Sequence, residues 1–162
     1  SKEADAKRLF QKGRKCPQML EPQERTLLNG FYKNASVGAD ATVNILDKVT
    51  HPDLREELCT QLEYYRKQKR EICRQMQEAY AMPQEQGAMA KFCANVSLQM
   101  RCLGNQSNSN IAKQMLEGTN MGVIQLTQLM HRCPDVPEKL RRQGSEIVRR
   151  EEAYMERLKP YL

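Results

Sequence analysis

Four long stretches of this chain carry apolar residues at alternating spacings of three and four. A helix of 3.6 residues per turn gathers such residues on one face, whereas a strand would scatter them over both. The first stretch holds Leu28, Phe31, Ala35, Gly38, Thr42, Ile45 and Val49, and the second Leu54, Leu58, Gln61 with Leu62, Tyr65, Ile72, Met76 and Ala79. The third holds Ile111, Met115, Gly118, Gly122, Leu126, Leu129 and Cys133, and the fourth Leu140, Gly144, Ile147, Glu151, Tyr154 or Met155, Leu158 and Leu162. A shorter fifth rhythm runs through Met89, Phe92 or Cys93, Val96, Met100 and Leu103. Each face calls for burial against another, so the expected class is all-α.

Proline punctuates these stretches. Pro22 suits the first turn of a helix, where its missing N–H is not needed. Thr50, His51 and Pro52 end one helix and begin another, with Thr50 or His51 as the cap and Asp53, Glu56 and Glu57 in the first turn, where negative charge suits the helix dipole. So short a turn makes its two helices antiparallel neighbours. Met82 with Pro83, and Pro134 with Pro137, mark the later breaks. The expected helices are about 22–48, 51–81, 107–133 and 136–160, with a shorter helix at 84–103. The long ones, at about 25 to 30 residues, are roughly 40 Å in length. Two antiparallel pairs joined by a helical crossover make a ferritin-like four-helix bundle; five consecutive up-and-down helices are the alternative.

Small and polar residues refine this picture. Gly118 and Gly122, one turn apart, and Gly38 on the first helix are expected points of close helix approach. Residues 105–110 are six consecutive uncharged polar residues, which either cap the third long helix or turn amides inward. Glu151 stands where a core residue belongs, so its carboxyl must be paired, protonated, hydrated or metal-bound. Gln61, Tyr65, Asn110 and Glu151 form a candidate inner polar cluster. Lys69, near the second stripe, is expected to snorkel.

A chain of 162 residues suffices for one domain with a sizeable core, and no run approaches the ~18–20 apolar residues of a membrane span. The net charge of +6 is concentrated at residues 1–20, where six basic residues face Glu3 and Asp5 for a local excess of +4. Without an aromatic platform or a DNA-reading motif, this stretch is read as a flexible basic extension rather than a contact for nucleic acid or membrane. Residues 21–162 form the expected single domain. Six cysteines without a CxxC pair fit reduced thiols in a cytoplasmic protein, and Cys59, Cys73, Cys93 and Cys102 lie on or near apolar stripes, where core packing is expected.

A dinuclear metal site of the bundle type needs Glu-x-x-His on two helices. Lys48 precedes His51 and Gln128 precedes His131 at that spacing, and both histidines fall at helix ends. No metal or other cofactor and no catalytic residues are expected. There is no phosphate-binding glycine loop, and the reading leans away from an enzyme.

The segments LLNGFYKNASVGADATVNILDKV (27–49), LREELCTQLEYY (54–65), SNSNIAKQMLEGTNMGVIQLTQ (107–128) and EIVRREEAYMERLKPYL (146–162) resemble a family of uncharacterised bacterial helical proteins with a ferritin-like bundle. In that pattern a Ser/Thr-rich run is followed by His-Ile-Ala-Glu-Met, then Gly and Met-Gly. Ile111, Ala112, Met115, Gly118, Met121 and Gly122 suit it, while Asn110 stands in place of His and Lys113 in place of Glu. Gln61, Tyr65 and the Glu151–Glu152 pair also resemble the family. The resemblance implies the fold and brings no activity or partner with it. Two functions are therefore expected to compete: a non-enzymatic interaction or structural module that binds a protein partner or a second copy as a homodimer, and a degenerate ferritin-like metal-handling oxidoreductase.

Overall fold

The computed structural model describes residue 2 and residues 19–83 and 107–162. The expected helix at 84–103, and the basic extension apart from Lys2, Met19 and Leu20, lie outside the described residues. Among the described residues all regular structure is helical, with four long helices: α1 (Pro22–Ile45), α2 (Pro52–Glu78), α3 (Asn108–Arg132) and α4 (Glu138–Leu158). Short 3-10 turns, Leu46–Lys48 and Lys159–Tyr161, extend α1 and α4. No helix among the described residues is long and apolar enough to cross a membrane.

The helix ends follow local chemistry. Pro22 and Pro52 open α1 and α2. His51 caps α2, its Nδ1 accepting from the amides of Asp53 at 3.2 Å and Leu54 at 3.5 Å. Ser107 Oγ accepts from the Asn110 amide at 3.1 Å and caps α3. Asn108 joins two chain breaks: Oδ1 accepts from the amides of Thr50 (3.1 Å) and His51 (3.2 Å), and Nδ2 donates to Thr50 Oγ1 at 2.8 Å. Ser107 and Asn108 thus cap a helix and tie down a turn, the first of the two roles open to the 105–110 run. Asn108→Ala is expected to cost about 1 kcal/mol, because two amides at the α1–α2 turn lose their acceptor to partly available water. Urea denaturation checks this, and an unchanged midpoint would show that the tie carries no stability.

Contacts along the helices set their directions. Gly30 faces Leu129 and Gly122 faces Asn34, so α1 and α3 run antiparallel. Gln75 and Gln143 exchange hydrogen bonds of 2.9 and 3.0 Å, Tyr65 meets Glu151, and Arg157 meets Glu57, so α2 and α4 are antiparallel too. After α2, Ala81 packs in a cluster with Val136, whereas α3 begins beside Thr50 at the other end. Hence α2 and α3 point the same way, and residues 83 and 107 lie at opposite ends of helices about 40 Å long.

The core is layered along this axis. At one end Leu27, Phe31, Ile72, Met76, Leu126 and Leu140 pack together, and at the other Ile45, Leu54, Leu58, Ile111, Tyr154 and Leu158. Each such burial removes apolar surface worth about 1.5–3 kcal/mol per large side chain. Between the clusters, Ala35, Ala39, Leu62 and Tyr65 form a thinner middle layer.

The third stripe departs from expectation. Gly118 is exposed, and a Cβ there would meet none of the described atoms within 4 Å, so it makes no close contact with them; Thr119 is the buried residue of that turn. Its hydroxyl is satisfied locally by Met115 O at 2.6 Å, which lets a polar side chain take a core position. Cys59 is likewise exposed rather than core-packed, while Cys73 is half-buried and Cys133 buried, all three as free thiols. Leu162, at the end of the fourth stripe, is exposed. Lys69 is half-buried with its ammonium 5.4 Å from the centre of the Tyr32 ring, where the π face stabilises the charge.

Candidate functional site

The middle layer is where the bundle becomes polar. Glu151, on the inner face of α4, is 1% exposed. Its Oε2 accepts from the Tyr65 hydroxyl of α2 at 2.9 Å, and its Oε1 accepts from Asn34 Nδ2 of α1 at 3.0 Å. Three helices therefore meet through one carboxyl. Of the four residues expected to cluster, Tyr65 and Glu151 touch. Gln61, one turn before Tyr65, stands beside the Tyr65 hydroxyl, yet its Nε2 makes no hydrogen bond of good geometry among the described residues.

Asn110 is elsewhere. It is exposed in the first turn of α3, with its backbone amide on Ser107. The amide that reaches Glu151 is Asn34, which the sequence reading passed over. The pattern held one signal for it. Asn34 and Gly38 are one turn apart on α1, a polar residue and a glycine together at the edge of an apolar stripe.

Two of the three expected glycines support this site. A Cβ on Gly38 would lie 2.5 to 2.8 Å from ring atoms of Tyr65, and one on Gly122 would lie 2.5 Å from Asn34 Oδ1. The absent side chains make room for the two groups that donate to Glu151. Gly38 and Gly122 thus act by clearing space for side chains, and Gly118 leaves the wall beside them open.

Beyond that wall is a groove between α1 and α3 of about 980 Å³. Val37, Ala41, Met115, Leu126 and Leu129 supply its apolar lining, and Tyr65 and Glu151 reach its floor. Lys33, Glu117 and Arg132 are its other charged residues. The described lining contains no His or Cys. Among the described residues no three His, Cys, Asp or Glu side chains come together in a group able to hold a metal ion. His51 is occupied as a cap, and His131 is exposed in the last turn of α3.

Burial pushes the Glu151 carboxyl up from 4.5 to about 7, against the opposing hydrogen bonds from Tyr65 and Asn34. Burial, with the Glu151 charge beside it, also drives the Tyr65 hydroxyl well above its ordinary value. At neutral pH the site is therefore one carboxyl able to gain or lose a proton beside a neutral phenol. The carboxyl can hold a proton or a cation, and the acid hydrogen-bonded to it in the described lining is the Tyr65 phenol, kept protonated by burial.

The sign of the pH effect follows directly. Between 4.5 and about 7 the folded state keeps a proton that the unfolded state has released, so stability falls as pH rises through this window. At about 1.36 kcal/mol per pH unit, the Glu151 contribution present at pH 5 and lost by pH 8 is about 2–3 kcal/mol. Glu151→Gln is expected to remove this slope. The comparison to make is urea denaturation of both proteins at pH 5 and 8; parallel pH profiles would exclude Glu151 as the source.

Comparison with known proteins finds no matching family model, no matching curated protein and no matching solved structure.

Proposed function

We propose that this chain is a non-enzymatic binding module, a ferritin-like bundle whose groove between α1 and α3 receives an elongated, largely apolar guest. The observation that carries the reading is the groove itself. At about 980 Å³ it lies at the upper end of the range for small-molecule sites, which are mostly apolar with a few placed polar groups. Its lining has that character, and Gly118 leaves its wall open, since a Cβ there would meet none of the described atoms within 4 Å. The shared direction of α2 and α3 suits the ferritin-like part and five consecutive up-and-down helices alike, since each needs a connection that returns along the bundle. The bacterial, cytoplasmic setting belongs to the same reading.

A neutral fluorescent probe, N-phenyl-1-naphthylamine, tests the groove. The full chain is expected to enhance its emission saturably, and Gly118→Leu, which places a side chain in open space on the groove wall, is expected to weaken this at least tenfold without lowering the unfolding temperature. Equal binding by the two proteins sinks the reading.

A second reading has its own support. Met121 and Ile124, one turn apart on α3, are 54% and 45% exposed, and Val43 on α1 is 50% exposed. Such side chains suit a protein partner or a second copy of the chain. Sedimentation of a homodimer that Ile124→Lys dissociates would favour this reading, and a monomer at all concentrations would remove the homodimer.

A further inference from the structure

The groove and the polar layer meet at one group, and among the described residues that group has no counter-charge. Among the described residues each carboxyl oxygen of Glu151 takes one hydrogen bond, from a neutral donor, leaving acceptor capacity on both. The described elements around it contribute no compensating charge. From α1 it receives Asn34, from α2 Tyr65 with Tyr64 further off, and on α4 itself it acts on Tyr154. Lys33, Glu117 and Arg132 line the groove but are not among the groups that shift Glu151. A buried carboxylate without a cation is costly: below about pH 7 it is relieved by keeping its proton, and above that pH a cation arriving from the groove would relieve it.

We propose that the groove between α1 and α3 binds an amphiphilic primary amine, its ammonium on the Glu151 carboxylate and its alkyl chain along the apolar walls. The inference rests on the groove being a binding site and names the class of its guest. An ammonium has three donors and no acceptor, which complements the free capacity of the carboxylate beside the Tyr65 hydroxyl. Val37, Ala41, Leu126 and Leu129 offer surface that gains from covering an alkyl chain. Gly118, with no Cβ to project from the wall, leaves the approach open, while Gly38 and Gly122 seat the Tyr65 ring and the Asn34 amide that hold the carboxyl. An alkanoate would face like charge at the floor, and an alkanol would lack the charge.

Glu151 must be ionised to pair. With its carboxyl pushed up to about 7 by burial, the ionised fraction rises about tenfold from pH 6 to pH 8, and affinity for an alkylammonium should rise with it.

The test is isothermal titration calorimetry of the full chain with n-hexylamine hydrochloride, 1-hexanol and sodium hexanoate. At pH 8 the wild type should bind hexylammonium at least tenfold more tightly than hexanol, with no hexanoate binding. Glu151→Gln should lose this preference while keeping its hexanol affinity, and Gly118→Leu should lose both. If Glu151→Gln does not fold, the wild-type pH series decides, since an amine affinity unchanged from pH 6 to 8 overturns the proposal. Equal affinity for hexanol and hexylammonium, or a preference retained in Glu151→Gln, also overturns it. In those cases loss of hexanol binding in Gly118→Leu would leave the groove reading standing. Failure of all three probes to bind the wild type would remove both.

Discussion

Glu151→Ala is expected to lower the unfolding free energy by about 3 kcal/mol at pH 5 and by much less at pH 8. At pH 5 the carboxyl is protonated and neutral in the folded protein, so its burial carries little charge penalty. Truncation then removes the partner of two buried or half-buried donors, Tyr65 Oη and Asn34 Nδ2, at about 1 kcal/mol each, and leaves a cavity in the middle layer. At pH 8 the wild type holds an ionised carboxylate inside the bundle and has already lost about 2–3 kcal/mol of stability, so truncation relieves a penalty while it removes contacts. The two effects then oppose each other. Urea denaturation at both pH values measures the difference directly. An equal loss at pH 5 and pH 8 would mean that the carboxyl is not held near neutrality by its surroundings.

The second large effect comes from a methyl group. Gly38→Ala is expected to destabilise by about 2–3 kcal/mol, although alanine in a helix interior ordinarily gains about 1 kcal/mol over glycine. The new Cβ would lie 2.5 to 2.8 Å from three atoms of the Tyr65 ring. Tyr65 is 3% exposed and its hydroxyl is engaged by Glu151, so the ring has no space to retreat into without breaking that bond. Gly118→Ala provides the control. Its Cβ meets none of the described atoms within 4 Å, so the helix preference acts, and a gain of about 0.5–1 kcal/mol is expected. Thermal unfolding by circular dichroism should move in opposite directions for the two variants. Shifts of the same sign would refute the claim that Gly38 exists to seat Tyr65.

The candidate site was half legible in advance. A glutamate at a core-stripe position announces itself, because helical spacing alone puts it inside and physical chemistry then demands a partner. Tyr65 could be suggested as that partner for the same reason. Asn34 is marked only faintly, by Gly38 one turn further on, since it sits at the margin of its stripe, and its contacts with Glu151 and Gly122 come from the packing of separate helices. Asn110 was the mirror case. Polar and near the start of a helix, it reads from the sequence as a group of the interior, but the first turn of α3 lies beside Thr50 at the far end of the bundle. Lys69 and His51 behaved as local chemistry foretold, one snorkelling over Tyr32 and the other capping α2.

From the sequence by itself came the helices, their approximate ends, the buried faces and the demand that Glu151 be satisfied. All are consequences of the 3.6-residue period and of capping chemistry acting within about one turn. The tertiary structure alone decided which faces meet: that α2 and α3 run the same way, that Gly38 lies against Tyr65 while Gly118 opens on a groove, and that Asn34 completes the carboxyl site. Locally these glycines are alike. What separates them is the neighbouring helix, whose position depends on the summed fit of residues far apart in the chain.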